Sequence, residues 1–425
     1  MNPTANSTPR MSLALRLTGF LVLVPLLLLW IFWAVSLIKL PGKYSWVADY
    51  SAIALLVLLG LMIWRKWWPF RSWRNVGLGV ALYVPLLVWL AWDDAAYDHP
   101  VTIEQISPAP PRQAEESFAA TLAYTEVAGK PAARKLPEVK FSLKNDPTKD
   151  LAKWKDEIAK NRDNIATSLA TLAEAREWVT GLDRFEFIGD SPQAGYDMPV
   201  TQLGVVRRVG NLLCAQAGLL ALDGQGDAAL ALLRPLASVL LKLEDHARSE
   251  SRILVTSGSL ARVCATAQFI LTAAPCSVEA KTAFATVIAR RNLAAVTHRL
   301  AWLPYVHLMG SVINQPGMLD EALAEFSDPW FRPLLRVLSP FVILPRRLAN
   351  DLAPLALDAE ATLTEPKHRG PTSDYGEFYR RIHTLSPKNM GGRFLIAIAV
   401  PSYVRMGENL QAGEKARLDL LAALR

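Results

Sequence analysis

Three apolar runs open the chain, about Leu17–Leu40, about Val47–Trp64 and about Val76–Trp92, and they constrain what the rest can do. A helix needs roughly 20 residues to cross the hydrocarbon core of a bilayer, and each run is near that length. A cleaved leader would show one short apolar region and then a small-residue cleavage site, leaving the later runs unexplained. The expectation is therefore a membrane anchor over residues 1–92 with three transmembrane helices (about 17–40, 47–64 and 76–92). Nine of the 13 Trp lie there, and Trp46, Trp64, Trp67, Trp68, Trp73 and Trp92 fall at or beside the run ends, where an amphipathic ring sits at headgroup level. The spans carry no ionisable residue near their centres, which suits an anchor better than a transport path. Pro25 and Pro85 read as packing features of membrane helices.

Orientation follows from the cations. Arg65, Lys66, Arg71 and Arg74 crowd the second connection without an acid, Arg10 and Arg16 precede the first run, and Asp93, Asp94 and Asp98 follow the third. Lys and Arg are retained on the cytoplasmic side, so the N-terminus is expected in the cytoplasm. Three crossings of the inner membrane then put everything after Trp92 in the periplasm or otherwise outside the cytoplasm. The formal charge of +7 belongs to the anchor, because residues 1–92 hold eight basic side chains and one acid whereas residues 93–425 hold 38 of each. A balanced domain gives no basic stripe for nucleic acid.

Pro100, Pro108, Pro110, Pro111, Pro131, Pro137 and Pro147 punctuate residues 93–150 and predict a proline-rich tether, with one helix near Ala114–Val127. Beyond it, residues 151–425 repeat the helical period. Ile165, Leu169, Leu172 and Val179 share a stripe within Asn164–Thr180, and Leu203–Leu222 and Asp227–Leu241 flank Gly224-Gln225-Gly226 as an antiparallel hairpin, with glycine as a left-handed cap and Asp227 capping the second helix. Ser249–Ala273 stripes Ile253, Leu260, Cys264, Ala267 and Leu271, and Pro275 stops it. Ser277 then opens a helix running past Arg291 towards Pro304, and later helices lie near Asp351–Leu363 and from about Phe394. Strand-like alternation is confined to Phe185–Ile188. The fold class is mainly α: an all-helical extracytoplasmic domain of six to nine helices in antiparallel hairpins, with two sub-bundles meeting in the proline-rich stretch Asp328–Pro345. No 34-residue period supports a regular solenoid.

Tyr196, Val205-Val206-Arg207-Arg208, Leu212-Leu213, Gly226-Asp227-Ala228, Leu232 and Glu250, with Gly392-Arg393-Phe394-Leu395 and Ala399-Val400-Pro401, carry a resemblance. Over about residues 151–425 the chain resembles, in pattern, a family of membrane-anchored, all-helical bacterial envelope proteins. The resemblance implies a helical fold and brings no activity, and the three-span anchor departs from the single anchor associated with that group.

Phe187-Ile188-Gly189-Asp190-Ser191-Pro192 looks like the nucleophile block of GDSL-type serine hydrolases, with Ser191 as nucleophile. Such an enzyme needs an Asp-x-x-His near its C-terminus, and none of the six His follows an Asp at that spacing. Pro192 replaces an apolar residue, and a turn between helices explains the same letters. His246 and Glu250, beside Glu244 and Asp245, are the densest metal-ligand candidates. On one helix only two of them converge, which suits a solvated helix end better than a metal site. His298 and His307 lie near Trp302 and Tyr305 around Pro304 as a candidate binding surface or pocket, which a kinked helix buried against its neighbours explains as well, and Arg380 and Arg381 with Tyr375 and His383 are either a phosphate or headgroup site or a solvated helix face. The stretch from Trp330 through Pro345-Arg346-Arg347 mixes apolar bulk with cations, as an interfacial segment does, but its prolines break any long amphipathic helix and an irregular core connection explains the same residues. Cys214, Cys264 and Cys276 show no CxxC, and no disulfide required by the fold is expected. No cofactor is implied. The expected function is a membrane-anchored helical binding or scaffolding protein of the bacterial envelope, with the bilayer and an envelope protein as partners, and with an extracytoplasmic serine hydrolase using Ser191 as the alternative.

Overall fold

The computed structural model describes residues 101–108, 114–125, 131–139, 141–190, 203–314, 344–365 and 403–425, together with isolated residues between and before them. The three apolar runs, except Val88 and Trp92, lie outside the described residues. So do the stretch 315–343, where two sub-bundles were expected to meet, and the start of the last expected helix. The chain divides into two compact units, one comprising Met1–Ala95, Gln315–Pro345 and Ser386–Gly392, the other Ala96–Asn314, Arg346–Leu385 and Arg393–Arg425. The fold described below is that of the second.

Its described residues are mainly α-helical, with no β-strand among them. The helices are α1 Ile103–Ile106, α2 Ala114–Thr121, α3 Leu151–Lys160, α4 Arg162–Thr171, α5 Ala173–Gly181 and α6 Leu203–Leu222. They continue with α7 Gly226–Asp245, α8 Glu250–Ala273, α9 Val278–Ile288, α10 Leu293–Asn314, α11 Pro345–Thr364 and α12 Tyr403–Leu424. Two apolar clusters form. The first joins α3 to α9 with Leu420 and Leu424 of α12. The second joins α1, α10 and α11 with Ile253 of α8 and with Tyr403 and Leu410 of α12, so α8 and α12 run through both. The stripe expected on α8 is internal: Ile253, Leu260, Cys264 and Ala267 are all buried. Each large aliphatic so placed contributes about 1.5–3 kcal/mol relative to exposure.

By length and composition α6 and α8 are apolar enough to cross a membrane, yet most of the apolar window of each is buried against other parts of the protein. Among the described residues these two helices alone pass that test.

Local chemistry explains where the helices begin and end. Gly224 takes φ +76°, the left-handed conformation that favours glycine, and lets the Gln225 N–H reach the Leu220 carbonyl at 2.8 Å. Asp227 does not cap its own helix. Its carboxylate accepts the Ser277 N–H at 2.7 Å and so ties the start of α7 to the start of α9. Ser249 and Ser277 cap α8 and α9 by accepting N–H groups three residues on. The helix expected over Asn164–Thr180 is interrupted at Leu172, between α4 and α5. The Ser168 and Thr171 hydroxyls bond back to the Asn164 and Thr167 carbonyls, a local competition that bends helices. The helix expected to run past Arg291 also breaks. The Asn292 side chain accepts the Ala295 N–H at 3.2 Å in the first turn of α10, and Arg291 turns inward in the gap.

The proline-rich segment differs most from expectation. It packs along the bundle instead of standing free of it. The Trp178 indole donates to the Ala120 carbonyl at 2.7 Å, and Tyr124 meets the same ring edge-on at 5.0 Å. Glu157 accepts the Lys144 and Asn145 N–H groups, both at 2.8 Å, Arg262 pairs with Asp146, and Arg208 donates to the Val139 carbonyl. Proline denies this segment a ladder of its own, and side chains of the bundle satisfy its backbone instead.

Two glycines give a stability test. A Cβ on Gly226 would lie 2.4 Å from the Pro275 carbonyl oxygen, whereas one on Gly258, within α8, would meet nothing within 4 Å. Gly226→Ala is expected to destabilise by about 1–3 kcal/mol. Gly258→Ala is expected to be neutral or to stabilise by up to about 1 kcal/mol. Thermal unfolding of the two variants followed by circular dichroism checks the ordering.

Candidate functional site

The densest chemistry among the described residues is buried where the two apolar clusters meet. Sequence position brings it together simply. Glu244 and Asp245 end α7, His246 to Arg248 form the elbow, and Arg252 and Ser257 lie on the first two turns of α8. Arg291 sits in the α9–α10 link, Arg299 and His307 on α10, and Glu414 and Arg417 on α12. Arg252 is 0% exposed and Glu244 1%.

A buried guanidinium is tolerable only when its donors are met. Arg252 donates to the carbonyls of Leu243 (2.9 Å), Gly189 (2.9 Å) and Ile188 (2.7 Å) and pairs with Asp190 at 3.2 Å. The other Asp190 oxygen accepts the Arg248 N–H at 2.9 Å, and the Arg248 guanidinium reaches the Ser107 carbonyl at 3.0 Å. His307 bonds through Nε2 to the Arg248 carbonyl, and so donates from that nitrogen. Arg291 grips Glu244 with two parallel bonds of 2.9 and 2.8 Å, and Ser257 donates to the same carboxylate. Arg291 also reaches Glu414 at 3.3 Å, and Glu414 in turn is held by Arg417, which donates to the Ile288 carbonyl at 2.9 Å. The result is two neighbouring sets of charge-assisted bonds, one around Asp190 that ties residues 188–190 and the elbow to α8 and α10, and one around Glu244 that ties α7 to α8, α10, α12 and the α9–α10 link.

Its electrostatics follow from the pairing. Burial pulls the Arg291 pKa down, but Glu244 and Glu414 more than offset this and hold it above its usual value. Burial raises Glu414, and the bonds from Arg417 and Arg291 outweigh it, leaving the carboxyl below its usual range. Arg299 goes the other way: burial lowers it, its Nη2 reaches the Glu244 carbonyl at 3.1 Å, and its Nε is buried without a partner. Asp245, beside it, is pushed up to about 6 by burial, with Arg299 opposing and Glu244 adding to the rise. His246 is lowered by burial and by the neighbouring charges of Arg299, Arg252 and Arg248.

The residues singled out from sequence fall in several places. Ser191, Tyr375, Arg380, Arg381 and His383 lie outside the described residues. Gly189 and Asp190, from the same motif as Ser191, belong to the buried set. The Gly189 N–H donates to Ser117 at 3.0 Å, and Asp190 is the counter-ion of Arg252. His246 and Glu250 do not share a helix, because α7 ends at Asp245, His246 is its C-cap, and Glu250 opens α8. Among the described residues no three His, Cys, Asp or Glu side chains gather as metal ligands. Trp302, Tyr305 and His307, the candidate binding surface, are interior at 5, 3 and 1% exposure: Trp302 and Tyr305 belong to the second apolar cluster, and His307 faces the Arg248 carbonyl. At the edge of that cluster, half-exposed His298 bonds through Nδ1 to Glu360 at 3.1 Å, and the Trp302 indole donates to the same carboxylate at 3.1 Å. Cys214, Cys264 and Cys276 are free thiols. Sequence reasoning missed Arg252, Arg291, Glu414 and Arg417. Nothing in their local spacing separates a buried arginine from a solvated one.

No protein family, curated protein or solved structure matches the chain.

The Asp245 environment sets a pH dependence with a definite sign. A carboxyl whose folded pKa is raised to about 6 makes the fold favour the protonated form. Its favourable contribution is fully present below about pH 4, the ordinary carboxylate pKa, and is lost as pH rises through about 6. Asp245→Asn is therefore expected to stabilise the protein by about 1–2 kcal/mol at pH 7.5, a figure discounted for partial exposure. The gain should shrink on acidification and vanish near pH 4, as read from melting temperatures across that range.

Proposed function

We propose that the protein is an inner-membrane scaffold. Three helices within residues 17–92 anchor it with the N-terminus in the cytoplasm, and the helical domain binds a protein partner in the envelope on the other side of the membrane. One observation carries this: residues 1–92 combine three apolar runs with eight basic side chains and one acid, whereas residues 93–425 balance 38 with 38. The mainly helical domain fits a binding role, since helical faces recognise other helices and peptides through shape and apolar anchors. The buried charge set favours scaffolding over a hydrolase built on Ser191. Asp190, its neighbour in the motif, is engaged by Arg252 and by the Arg248 N–H, and Gly189 is engaged through both its N–H and its carbonyl.

Two measurements test the proposal. Alkaline phosphatase fused after Arg425 is expected to be active and green fluorescent protein at the same position dark; the reverse pattern contradicts the orientation. A fluorophosphonate probe is expected not to label the chain, and labelling that disappears in Ser191→Ala would put the hydrolase first.

A further inference from the structure

One buried arginine at the junction is short of partners. Arg252, Arg291 and Arg417 each pair with a carboxylate, those of Asp190, Glu244 and Glu414 respectively. Arg299 is as enclosed as Arg291, at 7% exposure, yet its guanidinium makes a single hydrogen bond, from Nη2 to the Glu244 carbonyl. Its Nε is buried with no acceptor, and among the described residues no carboxylate pairs with it. A guanidinium carries five donors in a fixed fork, and folded interiors rarely leave such groups unmet.

The neighbouring carboxyl does not fill the place. Asp245, at the end of α7, feels the Arg299 charge but accepts no hydrogen bond, and burial favours its protonated form. His246, the next residue, meets the Phe187 ring edge-on at 5.5 Å, and Arg299, Arg252 and Arg248 all disfavour its charged form, so the potential at the elbow is positive. Glu244 also acts on Arg299, but Arg291 grips that carboxylate and acts on Asp245 as well. Asp245 and His246 are only half-buried, which leaves the elbow open to solvent on their side.

A carboxylate suits this place, because its two oxygens match two parallel N–H donors of the fork. Ionised Asp245 would repel it. Protonated Asp245 can instead donate its O–H to the incoming oxygen, so that two carboxyl groups share one proton beside one cation. We propose that the Nε edge of Arg299, with Asp245 beside it, is a binding site for a carboxylate ligand that is taken up together with one proton. The same group is presented by a small organic acid and by the C-terminus of a peptide. The site stands independently of the topology proposed above.

The test titrates the full chain in detergent, at constant ionic strength, with formate, with N-acetyl-dialanine and with the carboxamide of that dipeptide, and reads binding from the rise in melting temperature. At least one of the two carboxylates is expected to stabilise at pH 5, and the carboxamide is not. Stabilisation by formate alone supports the site as one for a small acid, and stabilisation by the dipeptide acid supports it as one for a peptide terminus. Since only the protonated fraction of Asp245 is competent, its pKa of about 6 makes the apparent affinity about 30-fold weaker at pH 7.5 than at pH 5. Asp245→Asn should bind at pH 7.5 as tightly as the unaltered chain does at pH 5, and Arg299→Met should not bind. No stabilisation by either carboxylate at pH 5, equal stabilisation by the carboxamide, or binding retained in Arg299→Met overturns the inference. So does a pH dependence that survives in Asp245→Asn, which would move the proton to His246. If Arg299→Met shows no cooperative melting, the pH behaviour of Asp245→Asn decides alone.

Discussion

Arginines buried between two apolar clusters impose the condition that organises the described fold. Moving a guanidinium out of water costs several kcal/mol even after relaxation, and only carboxylates and carbonyls at good geometry return it. Arg252 and Arg291 meet that condition with partners drawn from distant parts of the chain: residues 188–190, the end of α7 and the middle of α12. Those segments are obliged to arrive together. Apolar packing alone would tolerate shifts of one helix against another, whereas bidentate bonds such as Arg291 to Glu244 fix register.

The same logic explains why the proline-rich entry is not free. A segment without helix or ladder must satisfy its carbonyls and N–H groups with water or with side chains. Here Arg248, Arg208, Trp178, Glu157 and Asn350 supply them, so a stretch whose composition suggests a flexible spacer becomes a strap. The strap and the buried charges are joined directly, since Arg248 links the Ser107 carbonyl to the segment that carries Asp190.

Periodicity and capping made much of the helical architecture legible in advance. The Gly224 turn, the helix opening after Ser277 and the stop before Pro275 depend on neighbours in sequence, and sequence shows neighbours. The breaks near Leu172 and Asn292 were not legible, because there hydroxyl back-bonding and the inward turn of Arg291 outweigh an uninterrupted apolar period. The buried charges were less legible still. Glu244 looked like part of a solvated helix end because its partner, Arg291, lies 47 residues away. Asp190 read as part of an ordinary turn, with a catalytic block as the alternative, and only the fold reveals Arg252 behind it. Trp302, Tyr305 and His307 could be read either as lining a pocket or as a buried bend, and spacing along α10 cannot show that they are interior.

The central claim is that each buried arginine is held by a specific carboxylate, and the Asp190–Arg252 pair tests it most directly. Removing one partner of a buried pair is expected to cost about 3–5 kcal/mol. Urea unfolding of the full chain in detergent, followed by circular dichroism, should therefore show large losses in Asp190→Asn and in Arg252→Met, and a double variant no less stable than the worse single. Losses that simply add in the double variant would contradict the account.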